Sequence, residues 1–311
     1  MAIYMWREYD WLCFTANTAN STIALNKTWT PTAVTLETST DWTSWSTYTF
    51  GNTITLSNIW DKIYFRNKST TDTWFSLNTG AYYKFVMTGS IAASGDITYL
   101  LNKNNTTTLS SRCFCYLFNG CSSLTTAPDL PATTLYDSCY YSMFSGCTSL
   151  TAAPDLPATT LAASCYYYMF LWCSSLTTMP NISATTLAVQ CCREMFYECT
   201  SLTIASELPA ATSADYCYYR MFYWCTNLTY LPKLPAATLS SQCYREMFRN
   251  CSKIKLSNTQ TWEYQTEYRI PTTWTWTSWS SSLSNMFTST WWTFTWTPSI
   301  NTTYYTSNTV I

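Results

Sequence analysis

The chain has 311 residues, of which 47% are hydrophobic and only 11% charged, with a net charge of −1 and no histidine. The length suits one to three domains with a sizeable core. The near-neutral charge leaves nothing to neutralise phosphates, which excludes nucleic-acid binding through a basic surface. The missing histidine removes the most common general base and metal ligand.

The N-terminus reads MAIYMWREYDWLCF, with Arg7, Glu8 and Asp10 where a signal peptide needs an uninterrupted apolar stretch. No signal peptide is evident, which leaves export by another route, release by lysis within a virion, or a misplaced start. The chain contains no run of 18 apolar residues, so no membrane span is expected. Within residues 1–100 the runs TIAL, AVTLETS, SWSTYTF, TITLS, KIYFRNK and YYKFVMTGS alternate apolar and polar between Asn, Gly, Asp and Ser-Thr clusters. That pattern predicts an antiparallel, β-sandwich-like domain. It also serves as an N-terminal cap, because a repeat array needs polar ends.

Residues 101–256 are periodic. Cys113, Cys139, Cys165, Cys191, Cys217 and Cys243 follow one another at 26 positions, as do Cys121, Cys147, Cys173, Cys199, Cys225 and Cys251. Phe118 to Phe248 and Leu124 to Ile254 keep the same step, giving six units without insertion. A fixed period of this size predicts a solenoid in which each unit buries its apolar face only against its neighbours. The segment around CYYSMF has apolar residues at i, i+1, i+4 and i+5, which predicts one or two turns of helix. TSLTAAPDLP is too short and proline-rich for a helix and predicts a short strand with an extended bend, paired in parallel from rung to rung. The fold class expected is thus an α+β repeat solenoid.

The unit resembles the leucine-rich repeats of the BspA type. The matching residues are the Met-Phe pair, the Gly-Cys that follows, the SLT, and LPATTL as in Leu130–Leu135 and Leu156–Leu161, over about residues 109–256. The N-terminal region is similar to the β-domain that often precedes such repeats, in STDWTSWSTYTFGNTITL and DKIYFRN. The resemblance implies a surface protein of a bacterium or phage that acts as an adhesin or host-binding protein.

Residues 257–311 leave the period. They read as a degenerate repeat, in which Met286-Phe287 repeats the Met-Phe pair, and a β-rich C-terminal cap.

Tryptophan is distributed oddly. The slot after Met-Phe-x holds Gly120, Gly146, Trp172, Glu198, Trp224 and Asn250. A chain leaving a turn there favours a left-handed residue, hence Gly or Asn. Average glycine usage predicts about 22 glycines at this length, whereas the chain has 6 Gly and 16 Trp, which together make up that number. The C-terminal run TWTWTSWS…STWWTFTWT would be an ordinary glycine-rich loop with Gly for Trp, and Trp42 and Trp60 stand at expected turns. Many of these tryptophans are therefore expected to be UGA codons that the source organism reads as glycine. The competing reading is genuine tryptophans on a binding surface.

The fifteen cysteines read foremost as small buried hydrophobes in interior columns, with cross-rung disulfides or metal binding as the competing readings. The C-x2-C pairs of zinc sites are missing at Cys113-x-Cys115 and Cys191-Cys192. No catalytic residue, metal site or cofactor is expected. Asp129, Asp155 and Glu207 share one repeat position with Asn181 and Lys233 and read as a solvated stripe rather than paired catalytic carboxylates. The informative positions are two variable slots, three and six residues after the first cysteine. From these Tyr116, Tyr168, Tyr197, Arg220, Tyr223 and Arg249 are expected to point outward as a contact surface, because Tyr and Arg bring area with a polar handle. The functional expectation is a non-enzymatic binding or adhesion protein. It would display a rigid repeat surface to a protein or glycan on a host or neighbouring cell, at a cell surface, outside the cell or on a virion such as a phage tail. The alternatives are a structural spacer without ligand and, more weakly, a carbohydrate-active enzyme.

Overall fold

The structure is a computed structural model that describes residues 10–28, 34–71, 82–104, 106–236, 239–269, 281–292, 297–299 and 302–310. Much of the tryptophan-rich C-terminal run, including Trp276, lies outside them, as do residues 1–9.

The N-terminal part contains strands β1 (Leu12–Ala16), β2 (Ser21–Lys27), β3 (Leu36–Ser39), β4 (Ser46–Thr47), β5 (Ile54–Leu56), β6 (Lys62–Asn67), β7 (Tyr83–Thr88) and β8 (Ile91–Ser94). Six of these lie on the alternating runs of the sequence. One sheet has the order β5-β2-β7; β4-β3-β6-β1-β8 make up the other, and all these pairings are antiparallel. Aromatic rings join the sheets: Phe14 of β1 lies 4.9 Å from Phe85 of β7, and Phe65 of β6 lies 5.5 Å from the same ring. Burying such rings supplies most of the driving force for closing a small two-layer domain.

The first rung grows directly on this domain. β9 (Leu124–Thr126) pairs in parallel with β8. Parallel bridges then step along the array at Thr126↔Ala152, Ala152↔Thr178, Thr178↔Ile204 and Ile204↔Tyr230, each 26 residues apart. Beyond it come β10 (Tyr230–Leu231), β11 (Lys255–Ser257), β12 (Thr266–Arg269), β13 (Trp291–Trp292), β14 (Thr303–Thr306) and β15 (Thr309–Val310). These strands form the pair β10-β15 and the sheet β12-β14-β11-β13.

The α+β class expected from the sequence is overturned: the chain is nearly all β and turn. The described residues contain one helix, a four-residue 3-10 segment at Ile97–Leu100, and none in the repeats. The segment expected to be helical is a run of turns. In the rung 164–173, the N–H groups of Cys165, Tyr167, Met169, Leu171 and Cys173 close bonds to the carbonyl three residues back. Those of Ser164, Tyr166, Tyr168, Phe170 and Trp172 instead bond the carbonyls of Val189, Cys191, Arg193, Met195 and Tyr197 in the next rung. The physical reason lies in composition and length. Cys, Tyr, Ser and Phe are weak helix formers, and a ten-residue helix is marginal by itself. A neighbour presenting carbonyls every 26 residues satisfies half the amides better. Apolar spacing at i, i+1, i+4 and i+5 fits this turn run as well as a helix.

Side chains stack in registered files. The rings of Phe118, Phe144, Phe170, Phe196, Phe222 and Phe248 lie 5.3–5.7 Å apart and nearly parallel. Phe85 of β7 heads the file 5.1 Å from Phe118, and Phe287 ends it 5.3 Å from Phe248. The Met286-Phe287 segment forms a further rung, since Phe248 N–H donates to the Met286 carbonyl at 2.8 Å. A second file contains Tyr140, Tyr166, Tyr218 and Tyr244 and is interrupted at Cys192.

All fifteen cysteines are free and all but Cys115 are buried, so the columns pack as thiols and not as cross-rung disulfides. The second column does more than fill space. The Sγ of Cys121, Cys147, Cys173, Cys199, Cys225 and Cys251 donates to the carbonyl of Phe85, Phe118, Phe144, Phe170, Phe196 and Phe222 respectively, at 2.9–3.2 Å. The first bond ties the array to β7 through Phe85, and each of the others ties a thiol to the phenylalanine of the preceding rung. Each bond also satisfies a carbonyl that would be costly to bury unpaired.

The slot after Met-Phe-x is left-handed in every rung, with φ from 57° to 75° at Gly120, Gly146, Trp172, Glu198, Trp224 and Asn250. Trp42 and Trp60 are left-handed too, at 54° and 75°.

Candidate functional site: a tyrosine–arginine ladder

The rungs bring residues two, three and six positions after the first cysteine onto one side of the array. Position two holds Cys115 in the first rung and then Tyr141, Tyr167, Arg193, Tyr219 and Arg245, five residues that the sequence pattern did not single out. Contacts run without a break. Tyr82 of the N-terminal domain meets Tyr116 at 5.0 Å, Tyr116 meets Tyr141 at 5.4 Å, and Tyr141 meets Tyr167 at 5.1 Å and Tyr168 at 6.1 Å. The Arg193 guanidinium then bridges the Tyr167 ring at 5.3 Å and the Tyr219 ring at 4.6 Å. Arg220 lies 4.9 Å over Tyr219 and 5.3 Å over Tyr223, whose other neighbours are Tyr197 at 4.7 Å and Arg249 at 5.7 Å. Such cation–π contacts are each worth about 0.5–1 kcal/mol where partly exposed.

The six residues expected to form a surface, Tyr116, Tyr168, Tyr197, Arg220, Tyr223 and Arg249, all belong to this ladder. None is fully exposed; each is half-buried against its neighbours. At the third position the outward expectation holds only in part, since Ser142, Glu194 and Glu246 are buried. The third position is left-handed in every rung, with φ of 51–61°; the two glutamates are buried there because arginines pair over them.

Two buried carboxylates organise the arginines. Glu194 pairs with Arg193 at 3.2 Å. Glu246, its side chain only 3% exposed, receives Arg220 Nε at 2.8 Å and lies 3.5 Å from both Arg245 Nε and Arg249 Nη1. Arg245 Nη1 also donates to Gln242 Oε1 at 2.9 Å. Removing one partner of a buried, hydrogen-bonded charge set costs more than an exposed pair. The Glu246→Gln variant should therefore lower stability by about 1.5–3 kcal/mol in urea denaturation, and Glu263→Gln, in an exposed pair with Lys255, by less than about 1 kcal/mol. Burial pushes the hydroxyls of Tyr116, Tyr141, Tyr168, Tyr197 and Tyr219 above their ordinary range. They present neutral O–H donors through the physiological range.

Asp129, Asp155 and Glu207 stand exposed in successive positions along another side of the array. Among the described residues no group of three or more cysteine, aspartate or glutamate side chains could hold a metal ion. No described helix is long and apolar enough to cross a membrane. Comparisons with protein-family models, with curated proteins and with solved structures match nothing to this chain.

Proposed function

We propose that the protein is a non-enzymatic binding module, displayed at a cell surface or on a virion, that presents the tyrosine–arginine ladder to a glycan or protein of a host or neighbouring cell. The observation that carries the reading is the continuity of the ladder from Tyr82 to Arg249. Rigid aromatic rings and preorganised guanidinium groups lose little entropy on binding, and they are the side chains most enriched at binding hot spots. Elsewhere the rungs keep Cys, Met, Phe and Leu, while identity changes along these three positions. The sequence resemblance to BspA-type repeats supports a surface setting.

The test is binding to a panel of polysaccharides and washed cell envelopes, with wild type beside a Tyr167→Ala, Arg193→Ala, Tyr219→Ala, Tyr223→Ala variant. The expected result is a ligand whose affinity falls by at least about 100-fold in the variant, since several hot-spot residues are removed together. Equal binding by both proteins would move the binding surface away from the ladder and overturn the reading, and no binding by wild type would favour the spacer reading.

A further inference from the structure

We infer that the cluster of Arg220, Arg245 and Arg249 is a subsite for the carboxylate of an acidic polysaccharide. This deepens the binding reading and rests on it. One buried carboxylate, that of Glu246, serves three guanidinium groups that are 32%, 35% and 34% exposed. The cluster therefore carries positive charge in excess at the surface. A ligand would meet the outer Nη groups of the forks, because the Nε atoms of Arg245 and Arg249 are shielded from water and make no hydrogen bond. For Arg245 this means that the 3.5 Å approach to Glu246 is an ion pair without hydrogen-bond alignment. The side chains rest on the rings of Tyr219 and Tyr223, which fixes the planar forks. A fixed guanidinium fork matches a carboxylate through two parallel bonds.

A glycan fits better than a peptide or a phosphate polymer. The flanking surface is a stripe of hydroxyl-bearing rings, which offers flat area and O–H donors to sugars. With a net charge of −1 over the whole chain, attraction is local, which suits sparse carboxylates and not a dense polyanion.

The experiment compares polygalacturonate, its fully methyl-esterified form and polyglutamate as probes for wild type, Arg245→Gln/Arg249→Gln and Arg249→Lys. Wild type should bind the acid form at least about tenfold tighter than the ester, the loss of one charge-assisted bond set. The double variant should lose that preference while still folding by circular dichroism, with a lower thermal midpoint because Glu246 loses two of its three partners, and Arg249→Lys should retain part of the preference. If acid and ester bind alike, the carboxylate subsite is wrong while the binding reading stands. If polyglutamate binds as tightly, the polysaccharide assignment is wrong. If neither galacturonan form binds, the inference is wrong, and the wider panel decides the binding reading separately.

A different observation carries a second inference. The geometry points to glycine at positions 42, 60, 172 and 224 in the protein as its own organism makes it, with UGA codons read as glycine. All four tryptophans are left-handed and exposed by 50%, 74%, 52% and 44%. A bulky residue in that region is strained, and the positions equivalent to Trp172 and Trp224 in other rungs hold Gly120, Gly146, Asn250 and one larger residue, Glu198. Left-handed Tyr168 and Glu246 are offset by ring contacts and ion pairs; Trp224 has one edge-to-face contact with Tyr223, while Trp60 and Trp172 remain more than half exposed. Trp11 and Trp45 behave differently. They have ordinary backbone, pack edge to face at 4.6 Å, and both contact Arg66, which lies 5.2 Å and 3.9 Å from their rings. These two read as genuine tryptophan.

Peptide masses of the protein from its natural source should show glycine at the four positions and tryptophan at 11 and 45, and the gene should read UGA at the four. UGG codons there, or tryptophan masses, would overturn the inference. As a stability test, the Trp42→Gly/Trp60→Gly/Trp172→Gly/Trp224→Gly variant should melt at a higher temperature than the tryptophan-bearing chain, whereas Trp11→Gly should melt lower. A lower midpoint for the fourfold variant would count against it.

Discussion

Phe196→Ala should lower the unfolding free energy by about 3–5 kcal/mol, the range for truncating a fully buried aromatic ring. Phe196 is fully buried and stacked on both faces, 5.5 Å from Phe170 and 5.7 Å from Phe222. Its removal leaves a void that neither ring can fill, because both are held by the next ring in the file and by their own rung-to-rung amides. The cost should fall at the edge of the domain. Tyr82→Ala, in the ladder but half-buried, should cost less than about 1.5 kcal/mol. Urea denaturation of both variants measures the difference. Near-equal losses would mean that the phenylalanine file does not bear the packing load assigned to it.

Stability should fall steeply above pH 9. Burial pushes the thiols of Cys121 and Cys139 up to about 12 and that of Cys243 to about 11. It holds Cys147, Cys199 and Cys225, and the hydroxyls of Tyr140, Tyr166, Tyr218 and Tyr244, well above their ordinary values. Below the ordinary thiol value of 9.0 folded and unfolded states are both protonated, so stability is fully present there. Above it the unfolded chain releases protons that the folded chain keeps. The unfolding free energy then drops by up to about 1.4 kcal/mol per pH unit for each such group. With several columns of them the drop exceeds the roughly 5–15 kcal/mol by which a domain is stable, so cooperative unfolding is expected between about pH 9 and 11. Denaturation followed by circular dichroism with a reductant present checks this. Unchanged stability at pH 11 would show that the thiols are not buried in the files described.

The period, the interior columns and most N-terminal strands were legible in the sequence, because alternation and strict spacing report which residues share a face. The conformation of each rung was not. CYYSMF carries a pattern that a helix and a turn run both satisfy, and the choice depends on carbonyls supplied by a segment 26 residues away. β8 was missed for a related reason: IAAS is short and weakly apolar, and its pairing with β9 is set by the first rung. Two columns of the candidate surface stood out by their variability. The third, from Tyr141 to Arg245, begins with repeated tyrosines that look like conserved scaffold, and only the ring contacts show it to be the spine of the ladder. The thiol-to-carbonyl bonds had no sequence signal beyond cysteine's place in the unit, since a buried alanine or serine would keep the same period.

The alternate amides that bond to the next rung all run along the long direction of the array. Tension applied between the two ends would load these interfaces in series, one behind another, and not in parallel as in a sheet pulled along its strands. Failure would then be stepwise, each event releasing one unit of 26 residues. A tether built this way yields gradually under a sudden pull and dissipates energy at each step before its anchor is lost.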